Sequence, residues 1–265
     1  DLHSFPTRRS SDLPGSSEQR RILADLADGK IDVIIGTHRL VSGDVRFKDL
    51  GLVVIDEEQR FGVAQKEYLK KLRTKVDVLT MSATPIPRTL YMALTGARDI
   101  SSITTPPDDR VAVITHVGPY SEKLVRQAIL RELERDGQIF YLHNRVQSIY
   151  VVKQQLEALV PQARIGVGHG QLPEKELSAV MDAFYRHEID ILLSTSIIES
   201  GLDVPNANTL IADHADALGL AQLYQIRGRV GRSTQRAYAY FFRNTKSTPE
   251  GIERLDNLAD RKSVV

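Results

Sequence analysis

At 265 residues the chain is long enough for two domains of ordinary size, and 42% hydrophobic against 26% charged residues describes a globular protein with apolar mass for real cores. The absence of cysteine excludes disulfides and thiolate metal sites and fits a reducing compartment. A formal net charge of +1 restricts any polyanion-binding surface to a local groove. No apolar run approaches the roughly 18 residues of a membrane span, and no apolar signal core opens the chain. The seven histidines are scattered, without a paired zinc spacing.

In chain order, residues 1–13 are polar, Ser- and Arg-rich and aperiodic. Like the abrupt 261–265, they are expected to be disordered or non-native tails. The stretch SSEQRRILADLADGK reads as a helix, with Ser16 as cap, Gln19 completing a capping box and Gly29 ending it. The runs 31–36, 52–56 and 76–81 are β-branched and short, as buried parallel strands are. Helix-like segments 64–73 and 87–96 follow the second and third. The Pro- and Asp-rich 104–110 reads as a linker. Beyond it the pattern predicts helix 121–136, strand 138–142, helix 146–159, strand 164–167, helix 173–187, strand 190–194, strand 209–212, helix 219–227 and strand 238–242. Two α/β layers with mostly parallel sheets are expected.

The chemistry concentrates where strands end. In GLVVIDEEQRFGV, the apolar run 52–55 breaks into Asp56-Glu57-Glu58. A parallel strand delivers the residues after it to the carboxyl edge of its sheet, where open α/β folds bind ligands. Carboxylates held there need a counter-charge, which a Mg²⁺-nucleotide supplies. Asp56 would then hold Mg²⁺ through its water shell, and Glu57 would orient and deprotonate an attacking water. The alternative is a solvated turn. In MSATPIPRTL, Ser82 and Thr84 again place hydroxyls at a strand end. In LLSTSIIESGLDVPNANTLI, Thr195, Gly201 and Asp203 come after a strand. In QLYQIRGRVGRS, Arg227, Arg229 and Arg232 surround Gly228 and Gly231; a solvated basic face is the alternative to a phosphate site.

Other features read as structural. The glycines of GVGHG (166–170) are spaced G-x-G-x-G and open no helix, against the dinucleotide pattern. The stretch RQAILRELERDG reads as a charge-laced surface helix, with Arg131 and Arg135 neighbours of Glu132 and Glu134. Asp213, His214 and Asp216 read as a solvated loop. Phe61 is either a core residue or part of a signalling loop.

The stretches GTHRL, DEEQRFGV, MSATPIPRTL, FYLHNRV, STSIIESGLDVPN and QLYQIRGRVGR resemble the superfamily 2 helicase motifs, in their order, over nearly all of 14–259. Within that superfamily the chain looks most like the translocase module of bacterial transcription-repair coupling factors, with a RecG-like fork-remodelling helicase or a non-catalytic DNA-binding module as the alternatives. The resemblance implies two RecA-like lobes: 14–103 the back part of the first, 111–245 the second, and 246–260 the start of a helical extension. It implies ATP and Mg²⁺ as cofactors and double-stranded DNA as partner. RNA polymerase and excision-repair proteins would be met through other domains, in a bacterial cytoplasmic, nucleoid-associated setting without membrane attachment.

Residue by residue, Asp56 and Glu57 match the Walker B pair, and Ser82, Ala83 and Thr84 the motif that couples hydrolysis to DNA. Gly201 and Asp203 lie in the motif at the nucleotide cleft. Gln225, Gly228, Arg229 and Arg232 match Q-x-x-G-R-x-x-R, with Arg232 favoured for the transition state and Arg229 for ground-state phosphate contact. Thr37, His38, Arg39, Asn144, Arg145 and Thr195 match positions that would contact duplex phosphates, and His169 matches an HG turn on the DNA face.

The departure from the family pattern is G-x-x-x-x-G-K-[ST], whose backbone N–H groups and lysine cradle phosphates and which occurs nowhere in the 265 residues. The first lobe is therefore expected to be incomplete, with unpaired strand edges, and the isolated chain to be inactive.

Overall fold

The computed structural model describes residues 16–58, 61–72, 74–82, 99, 101, 103, 112–199, 204–232, 235–244 and 247–260. The chain divides into two compact units, 1–87 and 88–265. The expected linker 104–110, the helix 87–96 and both tails fall outside the described residues.

In the first unit, helix α1 spans Ser16–Asp28. Gly29 closes it at φ 75, where the Lys30 N–H reaches the Asp25 carbonyl at 2.9 Å. A left-handed glycine just past the last turn is the usual way to satisfy such orphan carbonyls. Strands β1 (Leu52–Asp56) and β2 (Asp77–Met81) pair in parallel, Leu52 opposite Asp77 through Asp56 opposite Met81. Helix α2 (Val63–Leu72) connects them and packs on a 3₁₀ turn at His38–Val41.

The strand expected at 31–36 is absent: the segment has no ladder partner among the described residues, and Val33 and Ile35 are exposed. β-branched residues favour a pleated surface but form a strand only against a neighbour. The β1–β2 pair is likewise bare on one face, where Leu52, Val54, Leu79 and Met81 are exposed.

The second unit is built on six parallel strands in the order β3–β8–β7–β4–β6–β5. They are β3 (Ile114–Pro119), β4 (Gln138–Leu142), β5 (Ile165–Gly168), β6 (Ile191–Ser194), β7 (Ala207–Ala212) and β8 (Tyr238–Arg243). Successive side chains in a strand point to opposite faces, and this alternation sorts the core into two layers. Ile139, Tyr141, Ile191, Leu193 and Phe242 pack beneath α3 (Glu122–Glu134) and α4 (Ile149–Leu159). On the other face Phe140, Leu192, Leu210 and Phe241 meet α5 (Glu174–Tyr185), α6 (Leu220–Arg227) and α7 (Pro249–Asp260). No helix among the described residues is long and apolar enough to cross a membrane.

Strand β3 was not expected from the sequence; its His116, Gly118 and Pro119 interrupt the apolar pattern, and it forms as an edge strand against β8 alone. The helix expected at 146–159 opens as a 3₁₀ turn over Val146–Ser148 before α4 begins.

Helix α3 is no mere surface helix. Glu132 is fully buried, accepting hydrogen bonds from the Thr209 hydroxyl and the Arg135 guanidinium. Arg131 lies 3.4 Å over the centroid of the Tyr238 ring and donates to the Tyr240 hydroxyl at 2.6 Å. The carboxylate also explains Gly137, where an added Cβ would fall 1.8 Å from Glu132 Oε1. The glycines of GVGHG serve packing too: a Cβ on Gly166 would meet Ile189 Cδ1 at 2.5 Å.

Among the described residues, the first unit buries only four hydrophobic side chains, Leu26, Val45, Ile55 and Leu69, whereas nearly every strand residue of the second unit's centre is buried. Limited proteolysis should therefore leave a resistant fragment spanning 112–260 while 16–82 is cut; equal cutting of both units would contradict this. A second outcome concerns Asp190, where burial pushes the carboxyl up but the Arg164 fork and backbone N–H more than offset it, leaving its pKa below the ordinary 3.8. A depressed carboxylate stabilises the fold above its ordinary pKa and loses that contribution as pH falls through the lower folded value. Asp190→Asn should thus cost about 1 kcal/mol at neutral pH, the exposed arginine end being screened, and the gap should close below about pH 4. Chemical denaturation at pH 7 and pH 3 checks this.

Candidate nucleotide and nucleic-acid site

The first unit brings three expected residues together. Asp56 ends β1 in register with Met81, so Glu57 and Ser82 come next, side by side at the carboxyl edge of the two strands. The Glu57 N–H donates to the Met81 carbonyl at 3.1 Å, and Glu57 itself adopts φ 52. A non-glycine residue in the left-handed region costs on the order of 1–3 kcal/mol and persists where its surroundings fix it, most often at functional sites. The bend turns the chain off the strand axis directly after Asp56, whose side chain stays exposed. Ala83 and Thr84 lie outside the described residues.

These groups suit part of a Mg²⁺-nucleotide site. Exposed carboxylate oxygen is the hard donor that Mg²⁺ accepts, directly or through its waters. A phosphate cradle of backbone N–H groups and a lysine is the part that the sequence does not contain.

Thr37, His38 and Arg39 form an exposed 3₁₀ turn, capped by the Thr37 hydroxyl, which accepts from the Arg39 N–H at 3.5 Å. The Arg39 guanidinium forks onto Asp44, with Nη1 2.6 Å from Oδ1, and this contact lowers the Asp44 carboxyl from its usual range.

In the second unit the expected residues gather at strand ends. Asn144 and Arg145 come after β4 and are exposed. The Arg145 N–H closes a tight turn onto the His143 carbonyl at 2.9 Å. His169 comes after β5 and Thr195 after β6, but both side chains are buried, at 5% and 7% exposure, so neither offers a duplex much surface. The His169 ring meets Tyr150 edge-on, with centroids 6.1 Å apart. Gln225 lies in α6, Gly228 caps that helix, and Arg229 and Arg232 lie beyond it around Gly231, which takes φ 77. Arg229 is half-buried, whereas Arg232 is exposed and its Nε reaches the Gly228 carbonyl at 3.4 Å. Gly201 and Asp203 lie outside the described residues.

The loop expected to be solvated at 213–216 is instead a buried polar junction. Asp213 Oδ2 lies 2.6 Å from His143 Nδ1, and His143 Nε2 lies 2.7 Å from Ser148 Oγ, so Ser148 forgoes capping α4. Burial, and then the charge of Asp213, push the neighbouring Tyr141 hydroxyl well above its ordinary pKa. Asp216 accepts from the Asn244 N–H at 3.2 Å and the Ser247 hydroxyl at 3.0 Å, tying β8 to α7. His143 and Ser148 carry no spacing that would have marked these roles in advance, and Phe61 is half-buried, with its N–H on the Glu58 carbonyl.

The DEAD/DEAH box helicase family matches residues 3–93 and the helicase conserved C-terminal domain matches 121–234. A transcription-repair-coupling factor of Mycobacterium bovis is 58% identical over 99% of the chain, and the chain spans 22% of that relative's length. A RecG bound to a three-way DNA junction is 38% identical, with a TM-score of 0.70 over 94% of the chain and 33% of its own. S. cerevisiae Dbp5, bound to RNA and ADP BeF3, shares the fold at 17% identity and a TM-score of 0.60, covering 79% of the chain and 57% of its own.

Proposed function

Because the chain belongs to the superfamily 2 helicases, as the helicase module of the transcription-repair coupling factors, we propose that it works within an ATP-dependent double-stranded DNA translocase. The observation that carries this reading is the Asp56–Glu57 pair at the carboxyl end of β1, with Glu57 held in the left-handed region. Phosphoryl transfer asks a protein for positioning and charge stabilisation more than for covalent chemistry. ATP with Mg²⁺ supplies the phosphoryl group and its activating charge. Asp56 would hold the hydrated cation, and Glu57, offset from the strand by its backbone, would orient water and take its proton. Ser82 reports that state towards the DNA contacts. By their match to the family motifs, Gly201, Asp203, Gln225 and Gly228 would serve the nucleotide, with Arg229 on ground-state phosphate and Arg232 on transition-state charge. Thr37, His38, Arg39, Asn144 and Arg145 track duplex phosphates, which sets position rather than sequence. His169 and Thr195 support that track from beneath its surface.

In the parent protein this cycle drives tracking along DNA and removal of stalled RNA polymerase, with repair proteins recruited by other domains in the cytoplasm. Without a phosphate cradle the 265-residue chain does not turn over ATP by itself. A second reading, a RecG-like fork-remodelling helicase, draws on the 38% identity to the junction-bound RecG but stands behind the 58% relative.

The test is DNA-stimulated ATP hydrolysis by the full-length parent protein carrying Glu57→Gln. Turnover should fall by about 10²–10⁴-fold, as loss of a positioned general base does, while duplex binding persists. Undiminished turnover would overturn the assignment.

A further inference from the structure

We propose that His143, Asp213 and His214 form a binding site for a divalent transition cation of the Zn²⁺ type, between the carboxyl ends of β4 and β7. Among the described residues these three are the group whose donor atoms converge, every one within 4.8 Å of the others.

Their backbone is fixed from both sides. Strands β4 and β7 are paired up to Leu142 opposite Ala212, so His143 and Asp213 are the next residues past the ladder on neighbouring strands. The His143 N–H donates to the Ser194 carbonyl at 2.9 Å and the Asp213 N–H to the Leu142 carbonyl at 3.2 Å. His214 comes immediately after, with its ring centroid 5.8 Å from that of His143. Such a scaffold of three adjacent strand ends holds donor positions more tightly than a loop would.

The second observation is electrostatic. Asp213 is 7% exposed, and its Oδ1 has no hydrogen-bond partner among the described residues. A buried carboxylate oxygen left unpaired is costly, and it becomes a favourable donor when a cation sits beside it. Ser148 supplies the orienting contact that metal-bound imidazoles typically have: with Nε2–H donating to Ser148 Oγ at 2.7 Å, the Nδ1 lone pair of His143 faces Asp213 and His214. A metal ion at this point takes the Nδ1 lone pair and a carboxylate oxygen together, and any proton on Nδ1 leaves to solvent. Metal–nitrogen and metal–oxygen bonds of roughly 2.0–2.2 Å in a tetrahedron set the donors roughly 3.3 Å apart. The 2.6 Å contact must therefore open for the ion to enter. Two imidazoles and one carboxylate favour Zn²⁺ and its late first-row neighbours over Mg²⁺ or Ca²⁺, which take all-oxygen shells. The site does not depend on the ATPase reading, since it lies on the second unit alone and uses none of the residues assigned to nucleotide.

The experiment uses the untagged 265-residue chain, stripped with a chelator and titrated with Zn²⁺ by calorimetry and with Co²⁺ by visible absorption. The expected result is one ion per chain, a four-coordinate Co²⁺ spectrum and a Zn²⁺-dependent rise in Tm. His214→Ala should weaken binding at least ~10-fold and abolish the Tm rise. Asp213→Asn should do the same, and if it fails to fold, His214→Ala, whose ring is half exposed, decides alone. His116→Ala, away from the cluster, should bind as the wild type does. Absence of saturable binding, or equal binding by wild type and His214→Ala, overturns the site.

Discussion

Everything in the second unit depends on the burial of β4. Gln138–Leu142 is buried at every position, with β6 pairing along one edge and β7 along the other. A strand hydrogen-bonded on both edges and covered on both faces has no place for an unpaired polar group along its length. Gln138 obeys the rule at its start, its amide donating to the Phe184 and Ile189 carbonyls at 2.7 and 2.8 Å. Polar function is thereby displaced to the strand's end, where His143, Asn144 and Arg145 come next in sequence. Strands β6 and β7, also paired on both edges, end just before Thr195 and Asp213, and the edge strand β5 ends just before His169, so these residues come to the same edge. Burying each large apolar side chain contributes roughly 1.5–3 kcal/mol, so the two packed faces dominate the stability that holds this edge rigid.

The first unit shows the same logic with less behind it. Its parallel pair still delivers Asp56 and Glu57 to an edge, and the register still sets Glu57 against Met81. But one face of β1 and β2 is bare, and 31–36 runs without a ladder partner among the described residues. Glu57 keeps a left-handed backbone on a scaffold with few buried contacts.

Legibility in the sequence depends on range. Uninterrupted apolar runs such as IFYL and ILLS declared their strands because burial on both faces leaves no polar alternation to confuse them. Helices α3 to α6 were readable from their apolar spacing. The edge strand β3 was not, because an edge tolerates His116, Gly118 and Pro119 and so writes no pattern. Segment 31–36 erred the other way, its propensity being real but its ladder partner absent among the described residues. The candidate carboxylates and arginines were legible because each sits in a compact local motif. Glu132 with Thr209, and His143 with Asp213, were not: each pair is joined across 77 or 70 residues, and neither partner carries a local sign of burial.

The most direct test is the salt dependence of duplex binding by this chain, because the exposed Arg145 at the end of β4 is the residue proposed to meet phosphate there. Log affinity should fall linearly with log salt, equally for unrelated sequences, and Arg145→Ala should reduce the slope by about 1. Binding that is sequence-dependent, or a slope unchanged by Arg145→Ala, would contradict the claim that this strand edge is the DNA track.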